Sequence, residues 1–392
     1  MDKRKIILYG AFDRYNFGDI LMPIILKKYI TNCKKNINIQ FCSIRDADLS
    51  LYGGFSSTKL DLKILSKSTA IIIAGGEVLN VDWSSICSYY YGWFINRSIR
   101  VSRLILPRTI INYICCKHLN GFFSYPFLIE KMNISNPIKI IYNGVGGISL
   151  KNTDKVIKSS LQNATYLSVR DRNSNLLLRK KWDIKNNITP DIATSVSKFY
   201  PKDKIIKKTT QETREFIENN KSNYFCFQVA QHYTIGKLHL ITNSLSKLLS
   251  QGVNIALLPL GIVSGHDDDK ILQKIYSILD SNQVFLLKKI NIINTLSLIA
   301  NCLVFAGTSL HGNITAISYS VPHFPLNKQV PKLNEYIKEW DIAETSSCDD
   351  YSKIHDFYFN AIKIDINLLK RNKDKLITKV DKNIIEIFKM IS

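Results

Sequence analysis

The stretch that decides the fold is "NCLVFAGTSLHGNITAISYSVP", residues 301–322, where an apolar segment meets a helical one at a histidine. The run "LVFAG" is β-prone and continuously apolar, which indicates a buried strand. The run "NITAIS" behind it is typical of a helix that ends before a proline. We therefore predict a strand-to-helix turn that carries His311, with the helix beginning at Ser309 or Leu310.

The same order of short β-branched run, turn and helical spacing recurs along the chain. Its first copy predicts a strand at Lys5–Tyr9 and a helix from about Asp19, and later copies predict strands at residues 70–74 and 139–142. Further copies are "ATYLSVRDRNSNLLL", "NYFCFQVA", "VNIALLPLG" and "QVFLLKK". Strands that alternate with helices predict βαβ units in parallel sheets. These units are too many for one compact sheet, and a polar, Lys-rich segment with prolines interrupts them, so we predict a domain boundary near residues 190–220.

Two regions depart from this order. Residues 83–130 mix many aromatic side chains with scattered Arg and Lys, and we predict that they form a helical insertion in the first domain. From Leu368 onward, apolar residues repeat at helical spacing with lysines between them. We expect this last helix to pack back on a core; the alternative is an amphipathic helix on a membrane surface.

Charge and cysteine content restrict the class of protein. Lys and Arg number 53 against 32 Asp and Glu, a net charge of +21 that fits either anionic partners or a solvated Lys-rich surface. The basic residues form no recognised nucleic-acid-binding motif, so we predict no nucleic-acid partner. Eight cysteines without a C-x-x-C pattern indicate neither zinc nor a disulfide framework. With no apolar run long enough to span a membrane, we predict a reduced, cytoplasmic protein.

Candidate site residues follow the predicted strands, because ligands of open parallel sheets bind outside the carboxyl ends of the strands. After the first strand comes "NFGD", Asn16 to Asp19. Gly18 would let the backbone approach a ligand, and Asp19 would either cap the helix or take part in catalysis. Gly75 and Gly76 in "AGGEVLN" and the glycines of "NGVGGISL" occupy equivalent strand exits.

Arg170 and His311 are the charged candidates. Arg170 ends the strand "TYLSV", where its guanidinium could hold a phosphate or carboxylate by two hydrogen bonds, or pair with Asp171 or Asp191. His311 stands at a predicted helix start, whose free N–H groups and dipole favour an anion.

Taken in order, these stretches resemble the polysaccharide pyruvyl transferase family. The resemblance spans roughly residues 5–335 and rests on "NFGDILMPIIL", "IIIAGGEVLN", "NGVGGISL", "LSVRDRNSNLLL", "PDIA" and "AGTSLHGNITAISYSVPHF". The chain departs from the family pattern at Ser309, where the family usually has arginine, and at Glu77, where it usually has a third glycine. Arg170, Lys328 or an arginine of the insertion could supply the missing anion contact.

The resemblance implies an α/β fold of two Rossmann-like domains facing across a cleft, as in GT-B glycosyltransferases. We predict an acceptor-side domain at residues 1–195 with the insertion 83–130, a donor-side domain at 196–345 and a helical segment at 346–392. The implied reaction moves the enolpyruvyl unit of phosphoenolpyruvate onto two hydroxyls of a sugar, giving a pyruvate ketal and phosphate. Phosphoenolpyruvate is then a co-substrate, and no metal or other cofactor is expected.

The resemblance also implies roles for single residues. His311 is expected to act as the acid and Asp19 to deprotonate or orient the sugar hydroxyl. Expected donor contacts are Arg170, Thr308, Ser309, Gly312 and Lys328. Expected acceptor contacts are Asn16, Gly18, Gly75, Gly76 and Glu77.

Two alternatives stay open, a nucleotide-sugar glycosyltransferase of the same architecture and a non-catalytic member of the family. Surface-glycan acceptors are commonly carried on lipids, so we also predict peripheral contact with the inner face of the cell membrane through residues 83–130. That prediction rests on the aromatic residues there and on Arg97, Arg100, Arg103 and Arg108. The competing interpretation makes the aromatics packed core or a cover over the cleft. No motif indicates an oligomeric state or identifies the acceptor sugar.

Overall fold

Two mainly parallel sheets, one in each half of the chain, organise the structure, which is a computed structural model. It describes residues 5–33, 37–130, 138–148, 150, 155–221, 223–263 and 265–391, and for residues 66, 92–94, 96 and 100 the backbone alone. The side chain of Arg100, one of the arginines predicted to contact a membrane, therefore lies outside the described residues.

The first sheet contains nine strands within the described part of the chain, in the order β3-β4-β2-β1-β5-β7-β8-β9, with β6 beside β7. Its strands are β1 (Lys5–Tyr9), β2 (Asn38–Ser43), β3 (Ala47–Asp48), β4 (Ser56–Lys59), β5 (Ala70–Ile73), β6 (Gly76–Glu77), β7 (Lys139–Gly146), β8 (Tyr166–Val169) and β9 (Asn187–Ile188). The pairs are parallel except β3 with β4, and Leu8 lies opposite Ile72 in the register of β1 and β5. The central strands are continuously apolar because helices cover both faces.

The second sheet is parallel throughout its described strands, in the order β12-β11-β10-β13-β14. These strands are β10 (Tyr224–Gln228), β11 (Asn254–Leu257), β12 (Val284–Leu286), β13 (Val304–Gly307) and β14 (His323–Pro325). The sequence analysis predicted the first four but not β14, whose three residues are too few to show a periodic pattern.

Helices cover the two sheets and connect their strands. The helices of the first half are α1 (Phe17–Cys33), α2 (Leu62–Ser66), α3 (Trp83–Ile105), α4 (Arg108–His118), α5 (Lys155–Gln162) and α6 (Arg172–Leu176). Those of the second half are α7 (Val196–Phe199), α8 (Lys202–Ile205), α9 (Gln211–Asn220), α10 (Leu238–Ser250), α11 (Asp268–Leu279), α12 (Ile292–Asn301), α13 (Leu310–Ser318), α14 (Pro331–Trp340), α15 (Ile354–Ile362) and α16 (Ile366–Ile391). No helix in the described residues is long and apolar enough to cross a membrane.

The structure confirms the predicted fold class, two Rossmann-like halves with a helical insertion, which here consists of α3 and α4. The sheets themselves occupy residues 5–188 and 224–325. The finer domain bounds at 195 and 345 stay predictions. Helix α13 begins at Leu310, one of the two predicted starts, and Ser309 is its N-cap.

Helix α1, which follows β1, differs from the prediction in one respect. It begins at Phe17, so that Asp19 lies inside its first turn and does not cap it. Instead the side-chain oxygen of Asn16 accepts a hydrogen bond from Gly18 N at 3.2 Å. The carboxylate of Asp19 is therefore not needed to cap the helix.

The last helix, α16, crosses back to the first half of the chain. Tyr29 Oη donates to Asp381 at 2.6 Å, and Tyr166 Oη donates to Asn383, whose amide in turn donates to Asn143 at 2.8 Å. The apolar side of α16 is buried. The predicted packing of this helix on a core is thus what the structure shows.

The two halves meet at the carboxyl ends of their strands. Phe17 N donates to Leu260 O at 2.9 Å, and Asn16 forms a β-bridge with Gly261. At another edge, Trp340 Nε1 donates to Arg170 O at 2.7 Å. One apolar cluster includes residues of both halves. The loops that follow the strands therefore face each other across a cleft.

Candidate active site

Two adjoining cavities fill this cleft, with volumes of about 480 Å³ and 120 Å³. The residues that line both are Asn16, Tyr89, His266, His311 and Lys332. Cavities of 510 Å³ beside α16 and 570 Å³ beside α4 are as large, but their linings include no histidine. We therefore place the candidate site in the cleft.

The start of α1 and the start of α13 touch each other in the cleft. A β-carbon at Gly18 would overlap Nδ1 and Cγ of His311. Glycine at position 18 is required by this contact, since an ordinary side chain would displace the imidazole. Asp19, the next residue, lines the smaller cavity together with His311. The structure thus brings the predicted carboxylate and imidazole to one cleft.

Asp19 is half-buried, and this environment changes its acidity. Burial raises the pKa of its carboxyl above the ordinary value, although His311, Arg14 and Lys332 act in the opposite direction. A carboxylate whose proton affinity is raised in this way is a better proton acceptor than an exposed one.

Helix α13 is held from behind by a polar network. Ser309 Oγ accepts from Gly312 N at 3.2 Å, while Ser309 N donates to Gln228 Oε1 at 2.8 Å. Thr308 Oγ1 donates to the same oxygen at 3.3 Å. Among the described residues, the N–H groups of Leu310 and His311 are left without an acceptor at this helix start. They are the groups that a bound anion would use.

Asp268 completes this network below the larger cavity. One of its oxygens accepts from Gln228 Nε2, Leu260 N and Gly261 N at 2.8–3.0 Å. Burial raises the pKa of Asp268 to about 7, although these hydrogen bonds act in the opposite direction. The sequence analysis did not single out this residue.

Arg170 is 3% exposed and already has two carboxylate partners. It donates to Asp191 Oδ2 at 2.8 Å and to Glu77 Oε2 at 3.3 Å. Desolvation alone would lower the pKa of this guanidinium, but Asp191 and Glu77 outweigh it and raise the pKa. Of the ion pairs considered from sequence, the one with Asp191 is present, whereas Asp171 caps α6 by accepting from Ser174 N.

Asp191 connects Arg170 to the histidine. Its Oδ2 also lies 3.4 Å from His311 Nε2, and its Oδ1 accepts from Ala193 N. Burial would raise the pKa of Asp191, but His311 and Arg170 outweigh that effect and lower it. Asp191 is therefore an ionised carboxylate directed at the imidazole, which sets the position of the ring.

Glu77, Gly75 and Gly76 form the wall of the first half. Both glycines have positive φ, +118° and +92°, and Gly76 lies near the Asp19 carboxylate. Glu77 accepts from Ile148 N at 2.8 Å as well as from Arg170. Gly76 and Glu77 line the smaller cavity, while Gly75 packs against Met22.

Lys328 does not reach the cleft. Its side chain is 69% exposed and pairs with Asp349 at 2.8 Å. Lys332, four residues later in the first turn of α14, lines both cavities instead. Burial and then the nearby Arg170 lower the pKa of its ammonium. As a donor contact, Lys328 finds no support in this geometry.

Three further basic side chains in the cleft were missed from sequence: Arg14, His232 and His266. Burial lowers the pKa of His266 to about 4, with Lys332, His232 and Arg14 adding to the effect. Each of the three follows the carboxyl end of a strand. The strand-exit rule that selected Asn16 and Arg170 would have found them too.

The insertion contributes to the cleft through Tyr89 of α3. The guanidinium of Arg14 lies over the rings of Tyr89 and Tyr90, at 5.1 Å and 5.6 Å from their centres. Part of the aromatic content of residues 83–130 therefore covers the cleft, as the competing interpretation of this region predicted. No group of three or more His, Cys, Asp or Glu among the described residues could hold a metal ion.

Solved structures with similar folds have two facing domains of the same kind. The UDP-GlcNAc 2-epimerase of Methanocaldococcus jannaschii, in complex with UDP-GlcNAc and UDP, is 12% identical, with a TM-score of 0.53 over 95% of this chain and 98% of its own. A putative UDP-N-acetylglucosamine 2-epimerase of Listeria monocytogenes is 9% identical, with a TM-score of 0.55 over 97% and 92%. The wall teichoic acid polymerase TagF is 10% identical, with a TM-score of 0.50 over 97% and 83%. At these identities the likeness shows the fold alone, which is of the GT-B type.

Sequence comparison identifies the family. No curated protein is significantly similar to the chain in sequence. The sequence model of the polysaccharide pyruvyl transferases matches residues 16–328, which include Asn16 at the start of α1, Arg170, Asp191 and the His311 turn. This match covers most of the chain, and the chain therefore belongs to the polysaccharide pyruvyl transferase family.

Proposed function

We propose that the protein transfers the enolpyruvyl unit of phosphoenolpyruvate to two hydroxyls of a sugar, forming a cyclic pyruvate ketal. The sugar would belong to a surface polysaccharide, such as a capsule or exopolysaccharide, or to its lipid-linked precursor. The observation that carries the proposal is the contact of α1 with α13, which brings the Asp19 carboxylate and the His311 imidazole into one cleft. Family membership supports the same reaction.

The charges of the cleft suit a donor with a phosphate and a carboxylate. Lys332 and Arg14 are cationic side chains in its lining, and the free N–H groups at the start of α13 add a third anion contact. These groups take the donor role that sequence reasoning gave to Lys328. Arg170 also lines the smaller cavity, but its two carboxylate partners already neutralise it, so we give it a supporting role.

His311 and Asp19 would carry the proton transfers. A proton from His311 goes to the methylene carbon of the donor, and positive charge develops on the carbon that bears the phosphate. Asp19 takes the proton of the first sugar hydroxyl as its oxygen attacks this carbon, and phosphate then leaves. The second hydroxyl attacks the same carbon. One of the two hydroxyl protons restores the proton that His311 gave to the new methyl group, and the other leaves with phosphate.

Asp191 would position His311 and does not itself contact the reacting atoms. Its ionised carboxylate lies 3.4 Å from Nε2 and so fixes the orientation of the ring. General acid catalysis of this kind contributes about 10²–10⁴-fold to a rate.

The acceptor would enter between Tyr89 and the wall formed by Asn16, Gly76 and Glu77. Gly18 would act through His311, whose ring fills the space above it, and Gly75 by shaping the wall. We place the reaction in the cytoplasm, at the inner face of the cell membrane, where lipid-linked precursors are assembled.

A nucleotide-sugar glycosyltransferase is the second candidate. Similar folds have been solved with UDP or UDP-GlcNAc bound, and most residues that line the larger cavity belong to the second half of this chain. A glycosyltransferase would bind the nucleotide through the same start of α13. It would need neither an acid directed at an enol carbon nor a cationic pair matched to two separate anions.

Ligand binding and product analysis distinguish the candidates. Phosphoenolpyruvate should stabilise the protein against heat, whereas a panel of nucleotide sugars should not. With ¹³C-labelled phosphoenolpyruvate and a glycan acceptor, NMR should show a quaternary ketal carbon and release of phosphate. Folded His311→Ala protein should turn over at least tenfold more slowly. Binding of a nucleotide sugar but not phosphoenolpyruvate would support the glycosyltransferase, and binding of neither would support a non-catalytic member.

A further inference from the structure

The insertion presents an exposed apolar surface where α3 ends and α4 begins. Leu104 is 85% exposed and Ile105 is 79% exposed, although both are large aliphatic side chains. The full set of exposed apolar residues here, called the apolar tip, is Val101, Leu104, Ile105, Leu106, Ile110, Tyr113 and Ile114. Scattered apolar residues are normal on a protein surface, but a cluster of this size indicates contact with an apolar partner.

The apolar tip is not a loosely attached end. Arg103 donates to Ser84 Oγ at 2.6 Å, and Arg108 pairs with Asp82 at 2.7 Å. Ser84 lies in the first turn of α3 and Arg103 near its end, so this hydrogen bond ties the end of the helix to its start. The inner side of α4 packs through Ile111 and Cys115, which leaves its outer side to the tip.

The charge around the apolar tip has one sign. Residues 83–129 contain five Arg and Lys and no Asp or Glu. Arg103 and Arg108 pair with Asp82, just before this segment, yet their side chains remain 39% and 61% exposed. Exposed apolar side chains on a segment whose charged residues are all basic match the interface of an anionic bilayer, where tails lie beneath negative headgroups.

We propose that the apolar tip inserts into the headgroup region of an anionic lipid bilayer and holds the protein there reversibly. The insertion of Leu104 and Ile105, not the four arginines alone, would provide the attachment. A second copy of the chain fits the surface less well, because a two-fold contact would place two positively charged surfaces against each other. The proposed contact is peripheral, at the level of the headgroups.

The position of the apolar tip relative to the cleft explains what membrane contact would achieve. This step of the inference rests on the proposed function. Asp82, to which Arg108 anchors the tip, is separated by seven residues from Tyr89, which lines the cleft. Along a helix this is roughly 10 Å. Docking would therefore hold the mouth of the cleft next to the bilayer, where a sugar on a membrane lipid can reach Asp19 and His311.

Vesicle cosedimentation of the full chain tests the proposal. Wild-type protein should bind vesicles of phosphatidylcholine mixed with phosphatidylglycerol. It should bind vesicles of phosphatidylcholine alone at least fivefold less. Leu104→Ser with Ile105→Ser should weaken binding to the anionic vesicles at least tenfold. The matched control, Leu51→Ser with Ile278→Ser, changes two exposed apolar residues elsewhere and should bind like wild type. Equal binding by wild type and the tip variant, or no binding by wild type, would overturn the proposal.

Two further measurements separate the remaining outcomes. Light scattering in solution should give the same mass for wild type and the tip variant; a wild-type dimer that the tip variant dissociates, without vesicle binding, would assign the tip to a second copy. With a water-soluble acceptor the tip variant should keep wild-type turnover. Absence of pyruvyl transfer in both proteins would remove the proposed function while leaving the vesicle result intact.

Discussion

The ring of His311 occupies the space in which a side chain at position 18 would lie, so that Gly18 and His311 form a direct contact between the two halves at the cleft. Gly18 belongs to the first turn of α1 and His311 to the first turn of α13. The position of the proposed acid is thus set by the other half of the chain.

Substituting Gly18→Ala should therefore displace the imidazole and lower turnover at least tenfold, with a smaller effect on stability. The control is Gly252→Ala, which has open space around it and a positive φ of +80°, so it reports backbone strain of about 1 kcal/mol without touching the cleft. Turnover and thermal unfolding of both variants check this. Normal turnover by the Gly18→Ala protein would show that His311 does not depend on this contact.

Lys332 and Lys328 make a matched pair for the donor site. Lys332→Gln removes a cation from the cleft lining and should raise the apparent KM for phosphoenolpyruvate about tenfold, the effect of losing one charge-assisted contact. Lys328→Gln removes an exposed charge paired with Asp349 and should leave the KM unchanged. Steady-state kinetics at varied donor concentration decide between them. The reverse result would restore Lys328 to the donor site.

Arg170→Ala should act mainly on stability. It leaves the buried carboxylate of Asp191 without its guanidinium partner, and breaking a buried ion pair in this way costs about 3–5 kcal/mol. Glu77, whose side chain is 22% exposed, would lose the same partner at a smaller cost. Arg172→Ala, two residues later on the exposed side of α6, should stay within about 0.5 kcal/mol of wild type. Urea unfolding measures both. An unchanged free energy of unfolding for Arg170→Ala, with a raised donor KM, would return Arg170 to a direct role in donor binding.

Asp268 and His266 should give the free energy of unfolding two opposite pH dependences. The pKa of Asp268 is raised in the folded state, from 3.8 to about 7, so its contribution is present below pH 4 and is lost as pH rises to 7. The pKa of His266 is lowered, from 6.5 to about 4, so its contribution is present above pH 6.5 and is lost as pH falls to 4.

Single variants separate the two dependences. In His266→Gln, stability should fall between pH 4 and 7, by at most roughly 4 kcal/mol. In Asp268→Asn, stability should instead rise between pH 4 and 6.5, by at most roughly 3 kcal/mol. Urea unfolding at half-unit pH steps checks both slopes. Identical profiles for wild type and either variant would contradict the environment described for that residue.

Sequence reasoning predicted those features of the fold that depend on the local pattern of apolar and turn residues. The strand Lys5–Tyr9, the start of α13 at Leu310 and the division into two parallel sheets follow from apolar periodicity and turn residues, and these are as predicted. Which side chains meet across the cleft depends on how the two halves dock. The periodicity of the sequence does not predict how the two halves dock.

The choice between Lys328 and Lys332 illustrates the limit. Both lysines lie near the predicted second-domain site in sequence, but Pro331 starts α14 and turns only Lys332 toward the cleft. Asp19 shows the same limit. From the sequence Asp19 could have capped α1, but the helix begins at Phe17 and the Asn16 side chain accepts the hydrogen bond from Gly18 N.

The return of α16 to the first sheet has a consequence for synthesis on the ribosome. Asn143 and Tyr166 lie in strands made early, yet their partner Asn383 is translated after the entire second sheet. Because domains generally begin to fold as they emerge, the first sheet must wait with this side uncovered until residues 381–391 leave the exit tunnel. Completion of the amino-terminal half therefore follows synthesis of the second sheet, and a nascent chain that stalls before α16 would present an unfinished sheet to chaperones.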